Sequence, residues 1–138
     1  MNKIVKIWFE GDLLIGETSQ GELKEQSLLW YPRLLNANDS ERNKYRFGIT
    51  GIHWPELDED VSFESFDYED AVPTPLQHFF LTHSEINIAG FAKSIGINAS
   101  LLRNYINGFK KPSARREREI IKGLHTLGYE LLNLKFSR

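Results

Sequence analysis

At 138 residues the chain has room for one ordinary domain or two small ones, and its 41% hydrophobic and 26% charged content is that of a folded, water-facing protein. It contains no cysteine, which excludes disulfides, thiolate catalysis and zinc-finger ligation and fits a reducing cytoplasm, the expected location. No apolar run approaches the roughly 18–20 residues of a membrane helix, so no membrane association is expected, and the opening MNKIVKIWFEGD is too short in apolar length and too acidic for a secretory signal.

The net charge of -2 conceals an asymmetry. Asn87 to Arg138 carries ten Lys/Arg against three Asp/Glu, or +7, whereas Met1 to Ile86 carries seven against sixteen, or -9. A basic last third behind an acidic remainder points to nucleic acid at one end.

In KIVKIWFE the apolar residues Val5, Ile7 and Phe9 alternate with Lys6 and Trp8, which predicts a strand. Gly11-Asp12 turns the chain into a second strand beginning at Leu13, and Gln20-Gly21 turns it into a third over ELKEQSL. Connections this short make the three antiparallel. Leu28, Leu34 and Leu35 predict a short helical turn on each side of Pro32. Asp39 caps a predicted helix over 40–46 that Gly48 closes, and GITGIHW reads as a further strand ended by Pro55. The acidic stretch ELDEDVSFESFDYED reads as a loop and an amphipathic turn laid over the sheet.

DAVPTPLQ, with two prolines, is the predicted linker, which divides the chain into residues 1–70 and 71–138. Thr74 followed by Pro75 is a helix start, and Leu76, Phe79, Phe80 and His83 form one helical face. A second helix starts at Asn87, with Ile88, Phe91, Ala92 and Ile95 inward, and closes at Gly96. Asn98 caps a third, with Leu102, Tyr105 and Ile106 inward, closed by Gly108. Ser113 caps a fourth carrying Ile120, Ile121, Leu124 and Leu127, closed by Gly128. Leu132, Leu134 and Phe136 then alternate, as a short strand or a fifth helix.

The corner between Ile95 and Ser100 is the most specific feature. A helix-turn-helix needs a small residue within its first helix, a turn glycine at positive φ, and apolar residues locking the second helix to the first. Ala92, Gly96, Ile97, Leu102 and Ile106 meet those needs at the required spacing. FAKSIGI, NASLLRNYI, NG and FKKPS together resemble the lambda-repressor-like (Xre-type) DNA-binding domains, over roughly residues 74–136. The resemblance implies an all-α bundle that places residues 98–108 in a major groove of double-stranded DNA. It implies that Asn98, Ala99, Ser100, Arg103 and Asn104 face bases or adjacent phosphates, with Arg103 suited to a guanine edge and Asn104 to an adenine or a phosphate. Lys110, Lys111 and Ser113 would grip the backbone, with Arg115, Arg116 and Arg118 extending the positive edge. Two positions depart from the pattern. Ile88 stands where the family usually has Gln, and Leu101 replaces a small or polar residue on the exposed face of the reading helix.

The earlier part, through WYPRL and GIHWPELDEDVSFESF, resembles a bacterial family of short proteins, domain-of-unknown-function family 2442, over about residues 1–68. That resemblance implies an α+β fold and no activity. Members are encoded beside small partners suspected of being toxins, which implies an antitoxin-like role.

No catalytic constellation emerges. His53 lies near Glu56, Asp58, Glu59 and Asp60, but these acids lack the spacing of a calcium loop, and one His with loop carboxylates is a poor zinc set. Neither a nucleophile elbow nor a phosphate-cradling glycine loop is present. His78, His83 and His125 fall on or beside helix faces as packing or capping residues. The reading is therefore an α+β protein, a small antiparallel sheet with short helices followed by a helix-turn-helix bundle. It is expected to be a transcriptional regulator without enzymatic activity, metal or cofactor that binds DNA as a homodimer. The alternative is an interaction module or antitoxin whose acidic, aromatic-bearing first part binds a small basic protein.

Overall fold

The computed structural model of the chain describes residues 3–137. The chain divides into two compact units, Met1–Thr74 and Pro75–Arg138. The architecture is α+β, with the strands in the first unit and the long helices in the second.

The first unit begins with the expected antiparallel meander of β1 (Ile4–Glu10), β2 (Leu13–Thr18) and β3 (Leu23–Ser27), in the order β1-β2-β3. Its inward set differs from simple alternation. Ile4 pairs with Thr18 and Lys6 with Glu17, so Val5 is an extra residue that bulges β1. The bulge shifts the pleat, leaving Val5 47% exposed while Ile4 and Ile7 both point into the core.

After β3 a 3-10 turn over Leu28–Trp30 and the short helix α1 (Pro32–Leu35) flank Tyr31. The next helix, α2 (Asp39–Arg42), is shorter than the 40–46 span expected, and its cap is Asn38, not Asp39. Asn38 and Glu41 form a reciprocal capping box, each side chain accepting from the other's backbone N–H (2.8 and 3.0 Å). That box sets the start one residue earlier. Gly48 closes no helix; its N–H donates to Gly51 O at 2.7 Å within a hairpin.

The hairpin belongs to a second sheet, which was not anticipated. β4 (Arg46–Phe47), β5 (Gly51–Trp54) and β6 (Glu59–Ser62) pair antiparallel in that order. The acidic stretch expected to be loop thus supplies a strand. Ile52 stands opposite Val61 and His53 opposite Asp60, so β6 turns Val61 inward and holds Asp60 outward, while Glu59, on the side of Val61, is half-buried. Asp58, in the left-handed region at φ 50°, makes the turn into it.

Both sheets contribute to one core of Ile4, Ile7, Leu14, Leu28, Leu34, Ile52, Trp54, Val61, Phe63 and Phe66. Trp54, 1% exposed, donates its indole N–H to Arg42 O at 2.9 Å and meets Phe9 edge-on. The Arg42 guanidinium donates to Leu34 O and Leu35 O, both at 2.9 Å, and lies over the Phe9 ring. Beside this core Tyr31 donates its hydroxyl to Gln26 Oε1 at 2.8 Å, and Gln26 Nε2 donates to Ser65 Oγ at 3.0 Å. Burial pushes the Tyr31 phenol above its ordinary value.

The second unit comprises α3 (Pro75–Thr82), α4 (Ile88–Ser94), α5 (Ala99–Ile106) and α6 (Ala114–Leu132) around Phe80, Phe91, Ala92, Ile97, Leu102, Tyr105, Ile106 and Ile120. Pro75 opens α3 as expected. His83 does not join its inward face. It is exposed, stacks on Phe79 with 4.3 Å between ring centroids, and sets Nδ1 2.8 Å from Phe79 O. A carbonyl can only accept, so that nitrogen is the protonated one and His83 caps the end of α3. Gly128 does not close α6, which runs on to Leu132. A helix absorbs an internal glycine at a cost of about 1 kcal/mol, and Tyr129-Glu130-Leu131-Leu132 sustain it here. Asn133 ends it, donating its side-chain amide to Tyr129 O at 2.8 Å. The tail is thus helix to Leu132 and irregular from Leu134, neither a strand nor a fifth helix.

Trp54→Ala should cost the first unit about 3–5 kcal/mol, and Trp54→Phe, which keeps most of the packing but leaves Arg42 O without its donor, about 1–3 kcal/mol. Urea unfolding followed by circular dichroism measures both. The folded state also holds the Tyr31 proton more tightly than the unfolded chain does. That stabilisation is complete below pH about 10 and drains away as pH rises toward the higher folded value. Between pH 9 and 11 the wild type should therefore lose more stability than Tyr31→Phe.

Candidate nucleic-acid interface

Two helix ends in the second unit terminate in the same way. In α4 the Ile97 N–H donates to Ala92 O at 3.0 Å and the Gly96 N–H to Lys93 O at 3.2 Å. This is the Schellman pattern, and it requires Gly96 at its observed φ of +75°. In α5 the Phe109 N–H donates to Asn104 O at 2.9 Å and the Gly108 N–H to Tyr105 O at 3.4 Å, with Gly108 at φ +80°. The first motif folds Ile97 back against Ala92 in the core, so α5 starts immediately at its cap, Asn98.

Close approach of the helices rests on two small residues. Ala92 is 0% exposed within the core cluster. On α6, a Cβ at Gly123 would stand 2.5 Å from Ile95 Cγ2 and 3.2 Å from the Phe91 ring, so α4 and α6 touch through that glycine.

These contacts orient α5. Leu102, Tyr105 and Ile106 are buried, whereas Ser100, Arg103, Asn104 and Asn107 are exposed. Ala99 is half-buried against the core and presents little surface. Leu101 was expected on the exposed face. It too is half-buried and packs on the core, so the outer face keeps only polar side chains around Arg103. Asn98 accepts from the Ser100 N–H at 2.7 Å and Ser113 Oγ from the Arg116 N–H at 3.1 Å. Each cap uses a lone pair and retains a donor, the Asn98 amide N–H pair and the Ser113 hydroxyl hydrogen. Lys110 and Lys111 are exposed between α5 and α6. Of the arginines beyond them, Arg115 and Arg116 pair with Glu119 at 3.3 and 3.5 Å, which tempers the positive edge there.

One residue escaped the sequence reading. Gln77 is 8% exposed and donates its amide to Tyr105 O at 3.1 Å, joining α3 to the last turn of α5. Its only signal was an amide one helical turn before Phe80, on a face otherwise apolar. In the first unit His53 Nδ1 lies 2.6 Å from Asp60 Oδ1 as a cross-strand pair on the surface. Among the described residues no three His, Asp or Glu side chains gather to hold a metal ion.

Residues 4–66 match the sequence profile of a family described as a protein of unknown function (DUF2442). The resemblance of the N-terminal part thus stands, and the matched stretch runs from β1 into the 3-10 turn after β6. No curated protein and no solved structure matches the chain. No helix is long and apolar enough to cross a membrane among the described residues.

Gly96→Ala should destabilise the second unit by about 1–2 kcal/mol and Gly96→Asn by less, because Asn tolerates the left-handed region better. Thermal unfolding decides this; equal losses would mean that positive φ is not what the position demands.

Proposed function

We propose that the second unit is a lambda-repressor-like helix-turn-helix domain that reads double-stranded DNA with α5, and that the protein is a cytoplasmic transcriptional regulator acting as a homodimer. The observation that carries this reading is the corner at Gly96. Two short helices are locked by Ala92 and Ile97, and the outer face of the second offers Ser100, Arg103 and Asn104, followed by Lys110 and Lys111. Arg103 has five donors in a planar fork, suited to the two acceptors of a guanine edge. Asn104 suits an adenine or a phosphate, Ser100 either kind of contact, and Ala99 at most a thymine methyl. Asn98, Lys110, Lys111 and Ser113 hold phosphates, which set position and not sequence. We assign no catalytic role to any residue.

A second reading is an interaction module or antitoxin, favoured by the first unit. Residues 1–74 carry seven Lys/Arg against fifteen Asp/Glu, or -8. The hairpin between β4 and β5 raises Ile49, 94% exposed, beside the partly exposed Phe47. An apolar tip on an acidic body suits a small basic protein. The two readings are compatible in an antitoxin that regulates its own gene.

Salt separates them. Binding to a fragment spanning the gene's own upstream region should weaken linearly in log Kd against log salt, with a slope of about 0.9 per phosphate contact. Arg103→Ala should cost about 1–3 kcal/mol on the preferred site and flatten the preference among sequences, whereas Lys110→Ala should weaken all DNA alike. Absence of salt-dependent binding sinks the DNA reading and leaves the module.

A further inference from the structure

In the second unit α4 and α6 border an open groove of about 890 Å³. Its apolar lining comes from Ile86, Phe91 and Ile95 on one side and Gly123, Leu127 and Leu131 on the other. Glu85, Glu119 and Glu130 contribute three carboxylates to its walls against the one ammonium of Lys122. Just beyond, the last turn of α6 and the segment after it expose Tyr129, Leu132, Leu134 and Phe136, the last to 96%. A largely exposed apolar segment beside an unfilled apolar groove is an arrangement that a partner ordinarily resolves.

We propose that this groove receives residues 131–136 of a second copy of the chain, each copy's segment lying in the other's groove. Three observations select that occupant. First, the segment does not reach back into its own groove. Asn133 leaves α6 in a right-handed conformation (φ -93°, ψ 2°), held by two bonds to Tyr129 O, and lacks the left-handed residue that reverses a chain at a helix end. Second, the charges complement one another. Glu85 and Glu130 make no ion pair among the described residues, and neither does Lys135, which stands exposed between Leu134 and Phe136. Third, Leu131 both lines the groove and opens the segment. Donor and acceptor surfaces are therefore contiguous, so a two-fold axis beside Leu131 satisfies both at once and leaves neither open for further growth. The inference specifies the homodimer named above and does not depend on DNA binding.

Sedimentation velocity on the full chain without DNA tests it. The wild type should sediment as a dimer at tens of micromolar, and Phe136→Asp should raise the dimer Kd about tenfold or more with an unchanged circular dichroism spectrum. Glu130→Lys alone and Lys135→Glu alone should each weaken the dimer about fivefold, since each puts like charges at both grooves. An equimolar mixture of these two variants should recover wild-type affinity. In the mixed dimer one groove meets its tail as Lys against Glu and the other as the native Glu against Lys. A monomeric wild type, whether because the segment folds back or because another protein fills the groove, overturns the proposal. So does a dimer indifferent to these substitutions, or a mixture that fails to recover. Because DNA is absent, a monomer removes the homodimer from the reading above but leaves DNA binding by α5 standing, and loss of DNA binding leaves this proposal standing.

Discussion

The hydrogen bond from the Ile97 N–H to the carbonyl of Ala92 is the constraint on which the second unit depends. It forms only if Gly96 turns left-handed, and once formed it does three things together. It satisfies a helix-end carbonyl that would otherwise lack a partner, drives Ile97 into the core, and fixes the direction in which α5 leaves. The side of α5 that reaches water is thereby settled before any side chain on that side matters. The same cap recurs at Gly108, so α5 is bracketed by two rigid exits, and the lysines after it emerge from a fixed point.

The first unit is organised by polar groups at the edge of its apolar core. Trp54 and Arg42 each satisfy backbone carbonyls, and through them β5, α1 and α2 are held to one another. Gln26, Tyr31 and Ser65 close a second network in which every partner is a neutral hydrogen-bonding group. Such networks are costly when half satisfied, which ties the elements to one arrangement more sharply than packing alone would. No carboxylate is among the hydrogen-bonding partners of either network.

Much of this was legible in the residues themselves. The glycine corner, the caps at Asn87, Asn98 and Ser113, the meander and the inward face of α5 follow from local rules, because each depends on neighbours in sequence. Most of what escaped depends on partners elsewhere. β6 reads as an acidic loop until Ile52 and His53 stand beside it, since a strand with one buried residue has almost no period of its own. Val5 reads as core until the bulge against Thr18 and Glu17 displaces it. Leu101 reads as exposed on a helical wheel and is half-buried because it packs on the core of the second unit. Gly128 reads as a stop because the capacity of α6 to run through it comes from the residues after it. The polar face of α5 and its cap could be listed from sequence, whereas the pairing of Arg115 and Arg116 with Glu119 required coordinates.

The left-handed corner also has a consequence at the level of the gene. A single base change in a glycine codon yields Ala, Val, Ser, Cys, Arg, Trp, Asp or Glu, or a stop, and all but Asp sit poorly at a φ near +75°. Asp tolerates it but adds a negative charge to a unit whose surface is basic. Asn, which would serve both backbone and charge, lies at least two base changes away, and on the two-change route its single-step intermediates are Asp and Ser. The corner at Gly96 is therefore isolated in mutational space: the substitution it accepts best is reached only through one that it accepts less well.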